Sequence, residues 1–551
     1  MNELKPKLFT ALRGYTRQQF IKDVIAGIIV AIIALPLSIA LAIASGVNPE
    51  RGLYTAIIAG FLISMFGGSR VQIGGPTATF VVIIYGIIQD FGMDGLIVAS
   101  IMAGIFMIIF GLCRFGSYIK FIPYTITTGF TAGIAVGIFA GQIKDFLGIQ
   151  MGAVPSEFLE KMAAYAKNIG FMNPFAAMIG ALALLILILW PKVTDKIPGS
   201  LVAVIITTLI VRFAGLQVNT IGDLYDVSSK LPVFSFPHVN FDMLAQLISP
   251  AFTIAILASI ESLLSCVVSD GMIGSRHRSN AELIGQGLGN IAAALFGGIP
   301  ATGAIARTAA NVKNGGRTPV AGMVHSVTLL LILVFLMPLA KMIPMPALAA
   351  ILIMVAYNMS GWRDCINLVK KSPKSDILVF ATTFFFTVIF DLVVAIEVGI
   401  VLAAILFMKR MADVTNVEGW TYIDEEEENT QDPDQIGLKV VPKDTLVYEI
   451  NGPMFFGAAD KFIEVVSDVS RKVVILRMRS VPAMDVSALH SLYSVLETCR
   501  KENVTLVFSH VNEQPRSVMK KAGFDREVGM ENFCANIDEA LIRAAHLVAN
   551  E

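Results

Sequence analysis

The sequence predicts a polytopic α-helical membrane protein of about fourteen spans, followed by a smaller α/β domain. Apolar residues make up 55% of the 551 residues and charged residues only 15%, whereas soluble proteins carry about 25% charged residues. The apolar residues are concentrated in 21–412, while 413–551 has the charge density of a soluble domain. We therefore predict a cytoplasmic N-terminal segment (1–20), a transmembrane domain (21–412), an acidic linker (413–439) and a C-terminal domain (440–551).

Apolar stretches long enough to cross or half-cross a bilayer recur along the transmembrane domain. The third and the tenth are too short for a full crossing, which makes them candidate half-length helices. The stretches lie near 21–44, 52–67, 77–91, 94–112, 121–147, 172–190, 198–216, 250–269, 281–297, 304–314, 317–340, 346–369, 375–391 and 393–412.

Basic residues indicate the orientation, because short cytoplasmic loops are enriched in Lys and Arg. With the N-terminus inside, the odd-numbered loops hold few of them, although Lys144, Arg212, Lys230 and Lys341 lie there. We therefore expect both termini to be cytoplasmic. The even-numbered turns hold Arg70, Arg114, Lys120, Lys192, Lys196, Arg276, Arg278, Lys313, Arg317, Lys370, Lys371 and Lys374.

The first apolar run, 24–44, also has features of a signal peptide. It follows basic residues and ends in Ala42-Ile43-Ala44, a pattern suited to a signal peptidase. The run is longer than a typical signal sequence, contains Pro36 and precedes many further spans. We therefore favour an uncleaved first helix.

Two copies of one motif indicate an inverted repeat. In 60–78 an apolar helix ends in Phe66-Gly67-Gly68, a breaker rich in Gly, Pro and Thr follows, and a short helix begins. The segment 289–309 has the same order around Phe296-Gly297-Gly298. An odd number of spans separates the copies, so the halves lie inverted, and paired interrupted segments of this kind mark a transporter binding site near the midplane. The alternative is that Phe-Gly-Gly only ends helices that pack closely.

The starts of the two short helices form a candidate anion site. Helix N-termini leave backbone amides unpaired and carry the positive end of the helix dipole. Arg307 adds a fixed cation suited to a carboxylate or an oxyanion. In the alternative interpretation Arg307 is structural and pairs with a carbonyl or with Glu261. The residues at the two helix starts are Thr77, Ala78 and Thr79 in the first copy and Ala304, Ile305 and Ala306 in the second.

Glu261 is a carboxylate inside the apolar stretch 250–269. An ionisable group at membrane depth is costly and usually faces a partner or a cavity, so it marks a functional site. We interpret Glu261 as the coupling residue of a transporter, with a structural pairing to Arg307 as the alternative. His325, also in an apolar span, is expected to be a core histidine with satisfied hydrogen bonds rather than a proton relay.

Several classes of protein are not indicated. The sequence has no Walker A loop, nucleophile elbow or metal-ligand cluster, so we expect neither an enzyme nor a cofactor or metal. The net charge of −1 gives no reason to expect a nucleic-acid partner. Five scattered cysteines without CxxC spacing are expected to be reduced packing residues.

Together these features resemble the SulP sulfate-permease superfamily of bacterial plasma-membrane anion transporters. The resemblance rests on the LPLSIA motif at 35–40, the breaker Gly75-Pro76-Thr77, the Glu261 span and the Arg307 span. It implies a seven-plus-seven inverted repeat with a core and a gate domain, an elevator-like motion and, we expect, a homodimer. It also implies a substrate site formed by Ser38, Thr77, Ala78, Thr79, Glu261, Ser262, Ala304, Ile305, Ala306 and Arg307.

The C-terminal domain resembles a STAS domain, as in that family. Strand patterns at 445–450, 473–478 and 505–509 alternate with helix patterns at 458–470, 487–501 and 515–522, which predicts βαβ crossovers. In related anti-sigma antagonists the serine of an Asp-x-Ser-Gly pattern is phosphorylated, but here Ala488 replaces the glycine. We therefore favour a helix-capping role for Ser487 over a regulatory one.

The function that follows is secondary uptake of a small anion beside Arg307, coupled to a proton, or to sodium, at Glu261. Within the family, the stretches 260–264, 285–290 and 304–307 are most similar to bacterial C4-dicarboxylate transporters, which favours succinate, fumarate or aspartate. Sulfate and bicarbonate remain alternatives. A passive anion channel, or a scaffold that recruits cytoplasmic partners through the STAS domain, is the alternative of another class, and only the transporter needs a titratable Glu261.

Overall fold

The computed structural model describes residues 2–117, 123–152, 154–155, 157–194, 197–237, 241–390, 392–414, 416–420, 439–455 and 471–549. They belong to two units, Met1–Ile400 and Val401–Glu551. The first unit is almost entirely helical, because its long apolar segments can satisfy their backbone hydrogen bonds in a membrane only within helices.

Every apolar stretch predicted from the sequence contains a helix. Among the described residues, seven helical segments are by themselves long and apolar enough to cross a membrane. The helices are α1 (Leu8–Ala11), α2 (Arg17–Ala44), α3 (Pro49–Phe66), α4 (Val81–Leu112), α5 (Tyr124–Leu147), α6 (Phe158–Asn168), α7 (Pro174–Val193), α8 (Gly199–Phe213), α9 (Ile221–Leu224), α10 (Phe241–Ile273), α11 (Ser279–Leu295), α12 (Ile305–Lys313), α13 (Val320–Ala340), α14 (Met345–Ser360), α15 (Trp362–Lys371), α16 (Lys374–Ile389) and α17 (Leu392–Val414).

Helix α4 contains two of the predicted stretches. Its helical geometry is broken at Gly92, where φ is 67° and ψ is −162°. The residues before Gly92 form the predicted short segment, which opens with a 3-10 turn at Ala78–Phe80. The corresponding short helix of the second half is α12, which has nine residues.

The helices of the first unit form two bundles. The first four predicted stretches of each half pack together as the core bundle, which consists of α2, α3, α4, α10, α11, α12 and α13. The later stretches form the gate bundle, in which α5 contacts α14 and α16, and α7 contacts α8 and α14. This arrangement confirms the predicted seven-plus-seven fold with core and gate domains.

The described residues of the second unit contain a five-stranded sheet, whose strands lie side by side in the order in which they occur along the chain. Strand β3 (Asn416–Trp420) is antiparallel to β4 (Thr445–Asn451), while β4, β5 (Val473–Ser480), β6 (Thr505–Ser509) and β7 (Phe533–Cys534) are parallel. The predicted strands are confirmed, but β3 lies inside the stretch that the sequence analysis assigned to the linker. Among the described residues that follow β4, the helices are α18 (Val486–Lys501), α19 (Glu513–Ala522), α20 (Phe524–Val528) and α21 (Ile537–Ala549).

Helices cover both faces of this sheet. Leu476 and Phe508 on one face pack with Leu492 of α18, and Ile475 and Val507 on the other pack in a second cluster with residues of α21. Strands buried on both faces are rich in apolar residues, and β5 accordingly begins with the apolar run 473–476. The helix predicted at 458–470 lies outside the described residues.

Two expectations about single residues of this unit are tested by the structure. Asp485, not Ser487, caps α18, because its side chain accepts a hydrogen bond of 2.8 Å from the Ala488 amide and Ser487 is already inside the helix. The capping role predicted for Ser487 is therefore wrong. The five cysteines of the chain are unpaired, as expected, and burial raises the pKa of Cys499 to about 11.

Candidate functional site

Two short strands hold the starts of the half-length helices together. Strand β1 (Gly74–Gly75) pairs antiparallel with β2 (Thr302–Gly303), which joins the breaker of the first half to that of the second. Each strand leads within a few residues into its half-length helix. Because the strands are antiparallel, the two helices leave the pair in opposite directions and both N-termini point towards it. First-turn amides lack acceptors within a helix, so two sets of donors converge here.

Arg307 lies in the first turn of α12 and is only 2% exposed. Its Nη2 donates to the carbonyl oxygen of Pro76, in the breaker of the other half. Gly75 makes this approach possible, because a Cβ at that position would collide with Arg307 Nη1. The Nε and Nη1 atoms of Arg307 are buried and have no hydrogen-bond partner among the described residues. Arg307 thus pairs with a carbonyl, as one interpretation of the sequence held, and keeps donors to spare.

Glu261 of α10 is bonded to the start of the first half-length helix. Its Oε2 accepts from Thr77 Oγ1 at 3.3 Å, and its Oε1 accepts from Thr79 Oγ1. No ion pair between described residues joins Glu261 to Arg307. The alternative in which these two side chains neutralise each other is therefore not the observed arrangement.

Ser262 fixes β2 to α10. Its fully buried hydroxyl lies 2.6 Å from Thr302 Oγ1 and accepts from the Gly303 amide at 3.1 Å. Thr302 in turn donates to the carbonyl oxygen of Ala258 at 3.0 Å. All these groups are satisfied by one another, so Ser262 positions the breaker. Thr302 was not singled out from the sequence, where only its place in a Thr- and Gly-containing breaker distinguishes it.

The other predicted site residues differ in exposure. Ser38 of α2 is fully buried, and its Oγ has no hydrogen-bond partner among the described residues. Ala78 and Ala304 are buried, whereas Ile305 is 45% exposed and Ala306 is exposed as well. The start of α12 therefore has an open side beside the buried guanidinium of Arg307.

The structure shows a buried carboxylate beside the first breaker, Glu282, that was not predicted from the sequence. Glu282, in the first turn of α11, accepts from the amides of Gly68 and Ser69 at 2.8 and 3.0 Å. It also accepts from the side-chain amides of Gln72 and Gln286 at 3.0 and 2.8 Å. This network anchors the first Phe-Gly-Gly turn to the second half. Glu282 follows basic loop residues in the sequence, so the sequence alone predicts an ordinary charged residue of a cytoplasmic turn.

His325 differs from its expectation. It is fully buried in α13, and neither ring nitrogen has a hydrogen-bond partner among the described residues. The prediction of a satisfied core histidine is therefore wrong. Within the described part of the chain, no group of three or more His, Cys, Asp or Glu is arranged to hold a metal ion.

The fold and the paired half-length helices define a multi-pass membrane transporter of anions rather than an enzyme. Residues 20–383 match the Sulfate permease family and residues 438–540 match the STAS domain. The chain belongs to the sulfate permease family and carries its C-terminal STAS domain, which confirms the resemblance seen in the sequence.

Relatives extend over nearly the whole chain. The chain is 41% identical to "Putative sulfate transporter YvdB" of Bacillus subtilis, over 96% of this chain and 98% of that protein. It is 29% identical to "Bicarbonate transporter BicA" of Picosynechococcus, over 95% of this chain and 94% of that protein. The structure of murine Solute Carrier 26 family member A9 has the same fold, with a TM-score of 0.88 at 16% identity over 98% of this chain and 94% of that one.

Proposed function

We propose that this protein is a proton-coupled symporter of a small oxyanion, in which the core bundle moves relative to the gate bundle in an elevator-like manner. One observation carries the proposal. The candidate cation and the candidate coupling group bind the same loop, Arg307 through Pro76 and Glu261 through Thr77 and Thr79. Anion binding at Arg307 and protonation of Glu261 therefore both affect the start of the same half-length helix.

Coulomb repulsion provides the coupling. An anion that enters beside Arg307 approaches the Glu261 carboxylate, and like charges in a poorly solvated site repel strongly. A proton on Glu261 removes this repulsion and lets anion and proton bind together. The pair then adds less net charge to the moving bundle than the anion alone, which lowers the cost of carrying it through the membrane.

The gap between the bundles supports the elevator-like motion. A cavity of about 580 Å³ is lined by residues of α4 before Gly92 and by residues of α5 from Gly137 to Asp145. Helix α4 belongs to the core bundle and α5 to the gate bundle, so the space lies where one would slide past the other. The half-length segment that carries Thr77 and Thr79 continues directly into this wall.

For the substrate, we favour sulfate or bicarbonate. Arg307 is the cation that the structure brings to the breaker, and its neighbours Ala78, Ala304, Ile305 and Ala306 are small or apolar. A compact oxyanion needs one cationic group, which Arg307 supplies, whereas the second, separated carboxylate of a C4-dicarboxylate needs another polar partner. The names of YvdB and BicA agree with this preference. C4-dicarboxylates remain the second candidate, supported by the stretches 260–264 and 285–290.

Uptake into proteoliposomes tests the proposal. Labelled sulfate, bicarbonate and succinate are supplied with no gradient, with an inward proton gradient or with an inward sodium gradient. Saturable sulfate or bicarbonate accumulation that a protonophore abolishes is the expected result. Accumulation of succinate alone would identify dicarboxylates as the substrates. Accumulation that depends on the sodium gradient would identify sodium, rather than the proton, as the coupling ion. Flux that neither saturates nor accumulates would indicate a channel, and no flux of any anion would favour the scaffold.

Three further proposals concern the whole protein. We place it in the bacterial plasma membrane with both termini in the cytoplasm, because of the basic even-numbered turns. We also expect a homodimer and cytoplasmic partners of the STAS domain. Accessibility of single cysteines placed in the turns at 70 and 374 to an impermeant maleimide, from each side of the membrane, tests the orientation.

A further inference from the structure

We propose that α15 (Trp362–Lys371) is a binding site for anionic phospholipid headgroups. The ten-residue helix connects α14 to α16 and packs against α5. It is too short to cross a bilayer, yet it directly follows one membrane helix and precedes another. Its position therefore restricts it to the edge of the bilayer.

The helix has three distinct faces. Leu368 is buried and Cys365 half-buried on the face that packs against the protein. Trp362, Ile366 and Val369, spaced four and three residues apart, are 43%, 43% and 48% exposed. This spacing places them on one side of the helix, so they form an exposed apolar stripe.

The third face is basic. Arg363, Lys370 and Lys371 are exposed, and Lys374 is exposed at the start of α16. Arg363 lies over the ring of Trp362, with its Cζ 5.2 Å from the ring centroid. None of the ion pairs between described residues includes any of these four cations. The stretch 362–376 contains these four cations and two acids, Asp364 and Asp376.

Anionic lipid fits this combination better than another occupant does. Amphipathic helices with Trp and aliphatic residues on one face and Lys or Arg on the next lie in the interface, with the apolar face among the acyl chains. Basic residues beside a membrane helix attract acidic headgroups, and Trp prefers the same depth. A protein partner would need an apolar face and an acidic face side by side at the same spacing, whereas the acyl chains and headgroups of anionic lipid supply both at the edge of the bilayer.

Fluorescence quenching tests this directly, because the chain has only three tryptophans. The full-length protein with Trp190→Phe and Trp420→Phe retains Trp362 alone. It is reconstituted into vesicles of phosphatidylcholine and phosphatidylglycerol in which one or the other lipid is dibrominated, at equal brominated fraction. We expect at least twofold stronger quenching by the brominated phosphatidylglycerol.

Three variants in this background separate charge from folding. Lys370→Gln, Lys371→Gln and Lys374→Gln together should abolish the excess quenching, while the corresponding Lys→Arg variant should keep it. The same number of exposed lysines neutralised in the STAS domain, at Lys501, Lys520 and Lys521, should leave it unchanged. Equal quenching by both lipids overturns the preference for anionic headgroups. Absence of quenching overturns the site altogether, because the stripe is then covered by protein, such as a second copy of this chain.

Discussion

Arg307 and Glu261 carry opposite charges in one bundle, yet each has neutral partners. Two threonine hydroxyls stabilise the Glu261 carboxylate, and the Pro76 carbonyl accepts from Arg307. If the two groups formed an ion pair, an entering anion would have to break it. In the observed arrangement Arg307 Nε and Nη1 are buried donors with no partner among the described residues, and a buried unpaired cation is costly unless an anion binds. The residue-level geometry therefore favours binding over a purely structural role.

We predict that Arg307→Ala abolishes saturable anion uptake while the protein still folds. Losing a hydrogen bond to a charged group costs roughly 1.5–3 kcal/mol, which is about a 10- to 150-fold loss of affinity. The affinity of Arg307→Lys for the anion should lie between those of the parent protein and Arg307→Ala, because lysine keeps the charge without the planar fork of arginine. Uptake assays with purified protein measure this, and Arg212→Ala, which removes an exposed arginine at the end of α8, is the control. Unchanged affinity in Arg307→Ala would end the substrate role.

We predict that Glu261→Gln removes uphill accumulation driven by a proton gradient but retains anion exchange. Glutamine has the shape of a protonated glutamate and can still accept from a threonine hydroxyl, so the loaded state is preserved without a proton. Uptake at several external pH values should be flat in this variant. Glu397→Gln, at an exposed position in α17, should behave as the parent protein. If Glu261→Gln keeps the proton dependence, coupling resides elsewhere.

At the level of elements, local patterns were predictable and contacts between the halves were not. The Phe-Gly-Gly turn, the breaker and the short helix follow from residues close in sequence, and the structure contains all three in both halves. The pairing of Gly74 with Gly303 and the Glu282 network join residues more than 200 positions apart, and two-residue strands leave no periodic signal. Strand β3 was missed because it lies directly before the acidic run that suggested a linker.

Gly75 of strand β1 provides a prediction about the space that Arg307 requires. Gly75→Ala introduces a Cβ into the position that Arg307 Nη1 occupies, and its φ of +156° suits glycine better than alanine. The guanidinium must then leave Pro76, so we expect a loss of uptake approaching that of Arg307→Ala. Gly271→Ala, near the end of α10 and outside the cavity between the bundles, places its Cβ in open space and should leave uptake unchanged. Equal activity of both variants would show that the contact between Arg307 and Pro76 is dispensable.

Helix α18 provides a prediction for the STAS domain. Removal of an N-cap side chain costs about 1 kcal/mol, so Asp485→Ala should lower Tm by about 4–8 °C in a fragment of roughly 100 residues such as 440–551. Ser487→Ala removes an exposed hydroxyl from the first turn and should leave Tm nearly unchanged. Thermal unfolding followed by circular dichroism compares the two. A larger effect of Ser487→Ala would restore the capping role that the sequence suggested.

At the scale of the whole molecule, the two units differ in the surroundings that their surfaces require. The first unit exposes large apolar side chains such as Phe213 and Phe335, which suits a lipid environment. The STAS sheet is instead covered on both faces by its own helices, so its hydrophobic core is complete without the membrane part. We therefore expect the fragment 440–551 to be soluble and to unfold cooperatively, and a fragment from residue 415 to be more stable, since β3 then covers the edge of β4.

The independent core of the STAS domain also predicts the effect of deleting this domain. A chain ending after Val414 keeps all of α17, both bundles and every residue bonded to Arg307, Glu261 or Ser262. We therefore expect its KM for the transported anion to stay within about twofold of the parent value, which corresponds to less than about 0.5 kcal/mol. Its amount in the membrane, its assembly or its regulation should change instead. Uptake normalised to the transporter present in the membrane separates these effects. A truncated protein that reaches the membrane in normal amount but binds its substrate tenfold more weakly would contradict this division, because the STAS domain would then have to shape the site around β1 and β2.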